Sequence, residues 1–130
     1  MKPIDEISGD VVDEAISIHK NLGPGLLESV YETVLAGALM RRGYRVDRQV
    51  PIDIEYDGLS FPAAFRVDLL EENRLLLEIK SVEQLNKVHA KQLLTYLRLT
   101  NQPVGLLLNF SGETMKEGIR RLVNNHNSPQ

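Results

Sequence analysis

The chain has 130 residues, 42 % of them apolar and 25 % charged, with no cysteine and a formal net charge of −3. A chain of this kind can bury one core, so wholesale disorder is excluded, as are disulfides, thiolate nucleophiles and cysteine-based metal centres. No apolar run reaches the roughly 20 residues that span a bilayer, and the opening MKPIDEISGD carries no apolar signal stretch, so the expectation is a cytoplasmic single domain over residues 1–130 with no membrane association.

Residues 4–22 read as an amphipathic helix, with Ile4, Ile7, Val11, Ala15, Ile18 and Leu22 at spacings of three and four. Gly23 and Pro24 stop it, Gly23 as a left-handed cap. A second helix is predicted over about 27–42, with Leu27, Val30, Val34, Ala38 and Leu39 as its apolar face and Gly43 at its end. The period then changes to two. Residues 44–50 and 52–56 read as strands on either side of Pro51, which marks an edge or a bulge, and Asp57-Gly58 is a tight-turn signal. Residues 65–70 and 75–82 read as a hairpin joined by Glu71-Glu72-Asn73-Arg74. A third helix over 86–100, a strand over 104–110 buried on both faces, and a last short helix over 113–124 complete the order. The fold class is α/β, or mixed α+β, with a mixed sheet. The core runs over about 5–123, and the polar 125–130 tail is expected to be flexible.

Charge is unevenly spread. Residues 1–32 hold seven acids and two bases, whereas the rest hold eleven acids and thirteen bases. Arg41, Arg42, Arg45 and Arg48 form one basic cluster, and Lys116, Arg120 and Arg121 another. A pI near 5.6 argues against strong bare electrostatic binding to nucleic acid. Solvated faces and a local basic rim beside an acidic site both fit the clusters.

Three constellations carry possible chemistry. Arg66, Asp68, Glu78 and Lys80 lie on the two hairpin strands, and residues two apart share a strand face. If the register aligns them, Asp68, Glu78 and Lys80 converge. Paired carboxylates suit a hard divalent cation such as Mg²⁺, and a nearby lysine suits a water or a phosphate. A cross-strand ion pair of Lys80 with either carboxylate is the competing account. Against it, Glu78 and Lys80 interrupt the apolar stretch over 75–82, where charges are costly. In the second constellation, Glu28 and Tyr31 share a face at a helix start. There Gly25 as N-cap, Glu28 as capping carboxylate and Tyr31 as core ring with a wet hydroxyl account for them without any chemistry. In the third, His89, Gln92 and Tyr96 share a face of the third helix, as site groups or as a polar flank. His19, near the apolar stripe of the first helix, reads as a hydrogen-bonded packing residue.

Gly23-Pro24-Gly25 follows a helix and fails the context test for a phosphate loop, and His19, His89 and His126 lack zinc-ligand spacing.

Asp68-(x9)-Glu78-x-Lys80 resembles the core of the PD-(D/E)xK nuclease superfamily, with Val67 where the family name has proline. Gln92-x-x-x-Tyr96 resembles the QxxxY motif of its exonuclease and helicase-nuclease branch. His19 through Tyr31, with Gly25, Glu28 and Tyr31, resembles the signature of the small GxxExxY proteins, and the likeness runs over about 5–123. The resemblance implies a restriction-endonuclease-like core. It implies Asp68, Glu78 and Glu28 as metal ligands, with Mg²⁺ as cofactor and Mn²⁺ as its substitute. It makes Lys80 the group that positions the attacking water. Gln92 and Tyr96 would support the site or the scissile phosphate, with Arg66, Tyr31, His19 and His89 as further supporting or substrate groups.

The expected activity is metal-dependent hydrolysis of phosphodiester bonds, in DNA rather than RNA. The alternatives are a non-catalytic module that keeps the nuclease fold and works with a partner protein, and hydrolysis of another phosphate substrate. A chain this short leaves little surface for recognition, so a homodimer or a partner protein is expected.

Overall fold

The computed structural model describes residues 2–124; the tail expectation over 125–130, with His126, lies outside the described residues. Helix α1 (Ile4–Leu22) and helix α2 (Glu28–Arg41) precede strands β1 (Val46–Tyr56), β2 (Leu59–Glu71) and β3 (Leu75–Lys80). Helix α3 (Lys87–Thr100), strand β4 (Val104–Asn109), a 3-10 turn (Lys116–Gly118) and strand β5 (Ile119–Val123) follow. The sheet runs in chain order, β1-β2-β3-β4-β5, with β3 and β4 parallel and the other neighbours antiparallel. The mixed α/β expectation is met, and α3 is the crossover that a parallel β3–β4 pair requires.

The sheet separates two cores. On one side α1 and α2 bury Ile7, Val11, Ala15, Tyr31, Leu35 and Leu39 against Leu69, Leu75, Leu77, Ile79 and Leu106. On the other, Leu93 and Leu97 of α3 cover Val67, Leu76 and Leu107. Each fully buried leucine stabilises the fold by about 1.5–3 kcal/mol. Covered on both faces, β3 and β4 are apolar over Leu75–Leu77 and over Val104–Leu108, and their polar residues stand at the ends near Lys80 and Asn109. α1 has the predicted bounds. Asp5 and Glu6 lie in its first turn and His19 and Lys20 in its last, which suits the helix dipole. Gly23 ends it at φ 76°, with its N–H bonded to the His19 carbonyl.

Three expectations need correction. The apolar face of α2 is turned from the predicted one: Leu27, Val30 and Val34 are exposed, Tyr31, Leu35 and Ala36 are buried, and of the predicted face Leu39 is fully buried. The helix carries two apolar stripes, and only packing on the sheet chooses between them. Residues 44–56 are not two strands: β1 runs unbroken through Pro51, and its partner β2 begins at Leu59 rather than Phe65. β1 is an edge strand, where a missing N–H is tolerated. The predicted last helix over 113–124 is a 3-10 turn followed by β5. Ile119 and Leu122 stand three apart and imitate helical spacing. On a strand the same spacing sends them to opposite faces, and each packs against a different core.

Candidate active site

β2 and β3 form a fork. Their ladder has the rungs Glu71–Leu75, Leu70–Leu76 and Leu69–Leu77, and it stops there, while β3 stays paired with β4 as far as Lys80–Asn109. Two side chains take over where the strands part. The Asp68 N–H donates to Glu78 Oε2 at 2.8 Å, and the Ile79 N–H donates to Asp68 Oδ2 at 2.8 Å. Backbone donors that splaying would orphan are thereby satisfied.

The pairing has an electrostatic cost. Glu78 is 5 % exposed, and burial, then the Asp68 charge, push its carboxyl up to about 8. The Asp68 N–H and Lys80 pull the other way, and Glu28 adds a weaker push upward. Lys80 is half-buried, and its ammonium donates to Gln92 Oε1 across a long 3.4 Å. The Tyr96 ring stacks on Phe65 with centroids 4.2 Å apart. Burial, then the Glu78 and Asp68 charges, raise the Tyr96 hydroxyl above its usual range. The fork therefore brings Asp68, Glu78 and Lys80 to one place, with Gln92 and Tyr96 of α3 beside them.

The other sequence-predicted residues lie elsewhere. Glu28 is the first residue of α2 and exposed; its Oε2 accepts the Ser81 N–H at 3.4 Å. Leu27 is the N-cap, so Gly25 does not cap α2. Among the described residues no three histidines, aspartates or glutamates gather into a metal-holding group, so Glu28 is not assembled with Asp68 and Glu78. Tyr31 is fully buried on Phe110, rings 4.5 Å apart, and its hydroxyl is spent on the loop before α2, donating to the Gly23 carbonyl and accepting from the Leu26 N–H. It is a core residue whose hydroxyl is not exposed to solvent. His19 is buried, its Nε2 2.8 Å from the Gly112 carbonyl. His89 closes a capping box on α3: its Nδ1 accepts the Asn86 N–H at 3.1 Å, and Asn86 caps in return. Arg66 is exposed on β2 opposite Pro51.

Sequence reasoning missed four residues. Asn109 grips Val82 through both backbone groups, at 3.0 and 2.9 Å, and so fixes the chain leaving Lys80. Glu32, 6 % exposed, accepts from Gln49 at 2.6 Å and from Arg48 at 3.2 Å, and Gln49 also donates to Asp68 Oδ1 at 3.3 Å. One available signal was that Glu32 stands four residues after Glu28, on the same helix face.

A mixed sheet with a splayed strand pair that carries two carboxylates and a lysine defines a nuclease-like α/β class. The PD-(D/E)XK nuclease superfamily model matches residues 5–122, and the chain belongs to that superfamily. No curated protein and no solved structure matches the chain. Nucleases of this superfamily generally use divalent metals. The donors here fit such an ion: the Asp68 and Glu78 carboxyls, each bonded to the backbone of the other's strand and with the Glu78 carboxyl pushed up by burial and by the Asp68 charge, are hard oxygen ligands of the kind Mg²⁺ takes while keeping several waters. Among the described residues no helix is long and apolar enough to cross a membrane.

Proposed function

We propose that the chain is a metal-dependent nuclease of the GxxExxY type that hydrolyses phosphodiester bonds, with DNA as substrate and the β2–β3 fork as its active site. The observation that carries this reading is the contact of Asp68 and Glu78 with Lys80 and Gln92 alongside. Asp68 and Glu78 are the residues that would hold Mg²⁺, or Mn²⁺ in its place, and Glu28 would complete or orient that site. A cation bound there supplies charge stabilisation and a more acidic water. Glu78 gives up its proton when a positive charge offsets Asp68 and burial. Lys80 orients the attacking water and carries positive charge toward the phosphate. The water oxygen bonds to phosphorus, the phosphorus–oxygen ester bond breaks, and the leaving oxygen takes a proton. Gln92 holds Lys80 in place, and Tyr96 lies beside the fork. Arg66, exposed on β2, is suited to a backbone phosphate.

The open hollow lined by Leu26, Leu27, Glu28, Ser29 and Ser81 flanks the site and offers room for a strand of nucleic acid. With an acidic pI, added affinity comes from a second copy or a partner protein. A cytoplasmic setting suits such a substrate.

The test is calorimetric titration with Mn²⁺ of wild type and Asp68→Asn, with and without short DNA, followed by cleavage assays on single-stranded and duplex DNA and RNA. Binding lost in Asp68→Asn and cleavage lost in Lys80→Ala support the reading. DNA binding without cleavage in Mn²⁺ would identify instead a non-catalytic module on the nuclease fold.

A further inference from the structure

Asp68 is held from a second direction. Gln49 lies on β1 between the rungs Arg48–Leu69 and Val50–Val67, opposite Asp68 on β2. Its backbone is left-handed, with φ 49°. For a side chain other than glycine this conformation is strained, and such strain persists only where the surroundings enforce it. The strained turn has a visible consequence. Neighbouring residues on a regular strand point to opposite faces. Arg48 and Gln49 nevertheless both reach the carboxylate of Glu32 on α2. The left-handed residue removes the alternation and turns the amide of Gln49 toward α2.

That amide stands between two carboxylates, 2.6 Å from Glu32 and 3.3 Å from Asp68. The nitrogen must face both, because the amide oxygen has no proton to offer a carboxylate. Glu32 is almost fully buried and is anchored by Arg48, which also holds Thr33 Oγ1 at 2.8 Å. Helix α2 is thus connected through Glu32 and Gln49 to Oδ1 of Asp68, while Oδ2 accepts from Ile79. A carboxylate gripped at both oxygens has little freedom to rotate.

We infer that Gln49 is a positioning residue for Asp68: its amide, aimed by the left-handed backbone and anchored on Glu32, sets the orientation in which the Asp68 carboxylate meets a divalent cation. The inference rests on the reading of Asp68 as a cation ligand, so its test has one arm with metal and one without. Gln49→Gly and Gln49→Asn both accept the left-handed conformation; the first removes the amide and the second shortens its reach. In metal-free protein, amide hydrogen exchange at Ile79 should be at least about tenfold faster in both variants, with Leu77, still in the ladder, unchanged. A role in general stability would move both amides together. In the second arm, Mn²⁺ affinity should fall about tenfold in both variants. Unchanged exchange at Ile79 overturns the inference. So does wild-type Mn²⁺ affinity in the variants. A wild type that binds no Mn²⁺ with or without DNA overturns both the metal reading and the cation-orienting role of Gln49. Binding in wild type with an unaffected Gln49→Gly overturns the inference alone.

Discussion

Asp68 donates its backbone N–H to the Glu78 carboxylate, while its own carboxylate accepts the N–H of the residue after Glu78, each at 2.8 Å. Each carboxylate thus caps the strand that carries the other. The charges repel, yet the acceptors are needed where the ladder ends. An amide at either position keeps an acceptor oxygen and removes the charge. Asp68→Asn is therefore expected to leave the metal-free protein as stable as wild type or more stable, and to abolish Mn²⁺ binding. Thermal melts and calorimetry on the same samples check both. A drop of more than about 4 °C, roughly 1 kcal/mol in a chain of this size, would mark the pair as structural partners of Lys80 instead.

Two carboxyls set the pH dependence of the metal-free protein. Glu78 and Glu71 are each pushed up to about 8, from 4.5, in both cases chiefly by burial. Glu71 is 0 % exposed and neither of its oxygens has a hydrogen-bond partner. The unfolded chain ionises these groups near pH 4.5, whereas the folded chain holds their protons up to about pH 8. The native state therefore binds more protons across that window, and stability falls as pH rises through it. The melting temperature of metal-free protein should be higher at pH 5.5 than at pH 8. Glu71→Gln should remove part of that slope and raise the pH 8 value by several degrees. Melts in chelator across this range read it directly, and a melting temperature that rises with pH would refute it.

The elements most legible in the sequence were those whose period matched their environment. The stripe Ile7, Val11, Ala15 and Ile18 faces one core and gives α1 its bounds. Glu78 and Lys80 were legible too, because they interrupt the apolar strand β3. Period fails where two patterns coincide. α2 has apolar stripes through Val30 and Val34 and through Leu35 and Leu39, and the sheet decides which is buried. Ile119 and Leu122 serve two cores from one edge strand at helical spacing. Gln49 was illegible for another reason: its role depends on a backbone angle that no residue pattern encodes. The family motif singles out Tyr31, but no residue pattern shows that its hydroxyl bonds the loop between α1 and α2.

Gly118 marks a second support of the fork. A Cβ there would lie inside the contact distance of the Asn109 carbonyl, which belongs to backbone and cannot swing away. Asn109 in turn grips Val82, two residues after Lys80. Gly118→Ala must displace either the 3-10 turn or the end of β4. The expected loss is about 1–3 kcal/mol, in the range for overpacking a tight site, with faster amide exchange at Val82. Asn109→Ala should quicken the same amide without crowding the turn. If Gly118→Ala melts like wild type, the close approach does not constrain this end of the sheet.

Lys80 separates binding from turnover. Its only polar contact among the described residues is the 3.4 Å bond to Gln92, so its removal leaves no buried carboxylate newly unpaired in a tight ion pair. It eases the Glu78 charge but also repels a dication, and the two effects oppose, so its loss should leave Mn²⁺ affinity within about threefold of wild type. If it orients the attacking water, its loss should lower single-turnover cleavage about 10²–10⁴-fold, the usual worth of a positioned proton-transfer group. Gln92→Ala, which only frees Lys80, should cost less than Lys80→Ala at similar Mn²⁺ affinity. Lys80→Ala cleaving within tenfold of wild type would detach catalysis from this lysine, and a loss of Mn²⁺ binding equal to that of Asp68→Asn would make it a structural part of the cation site.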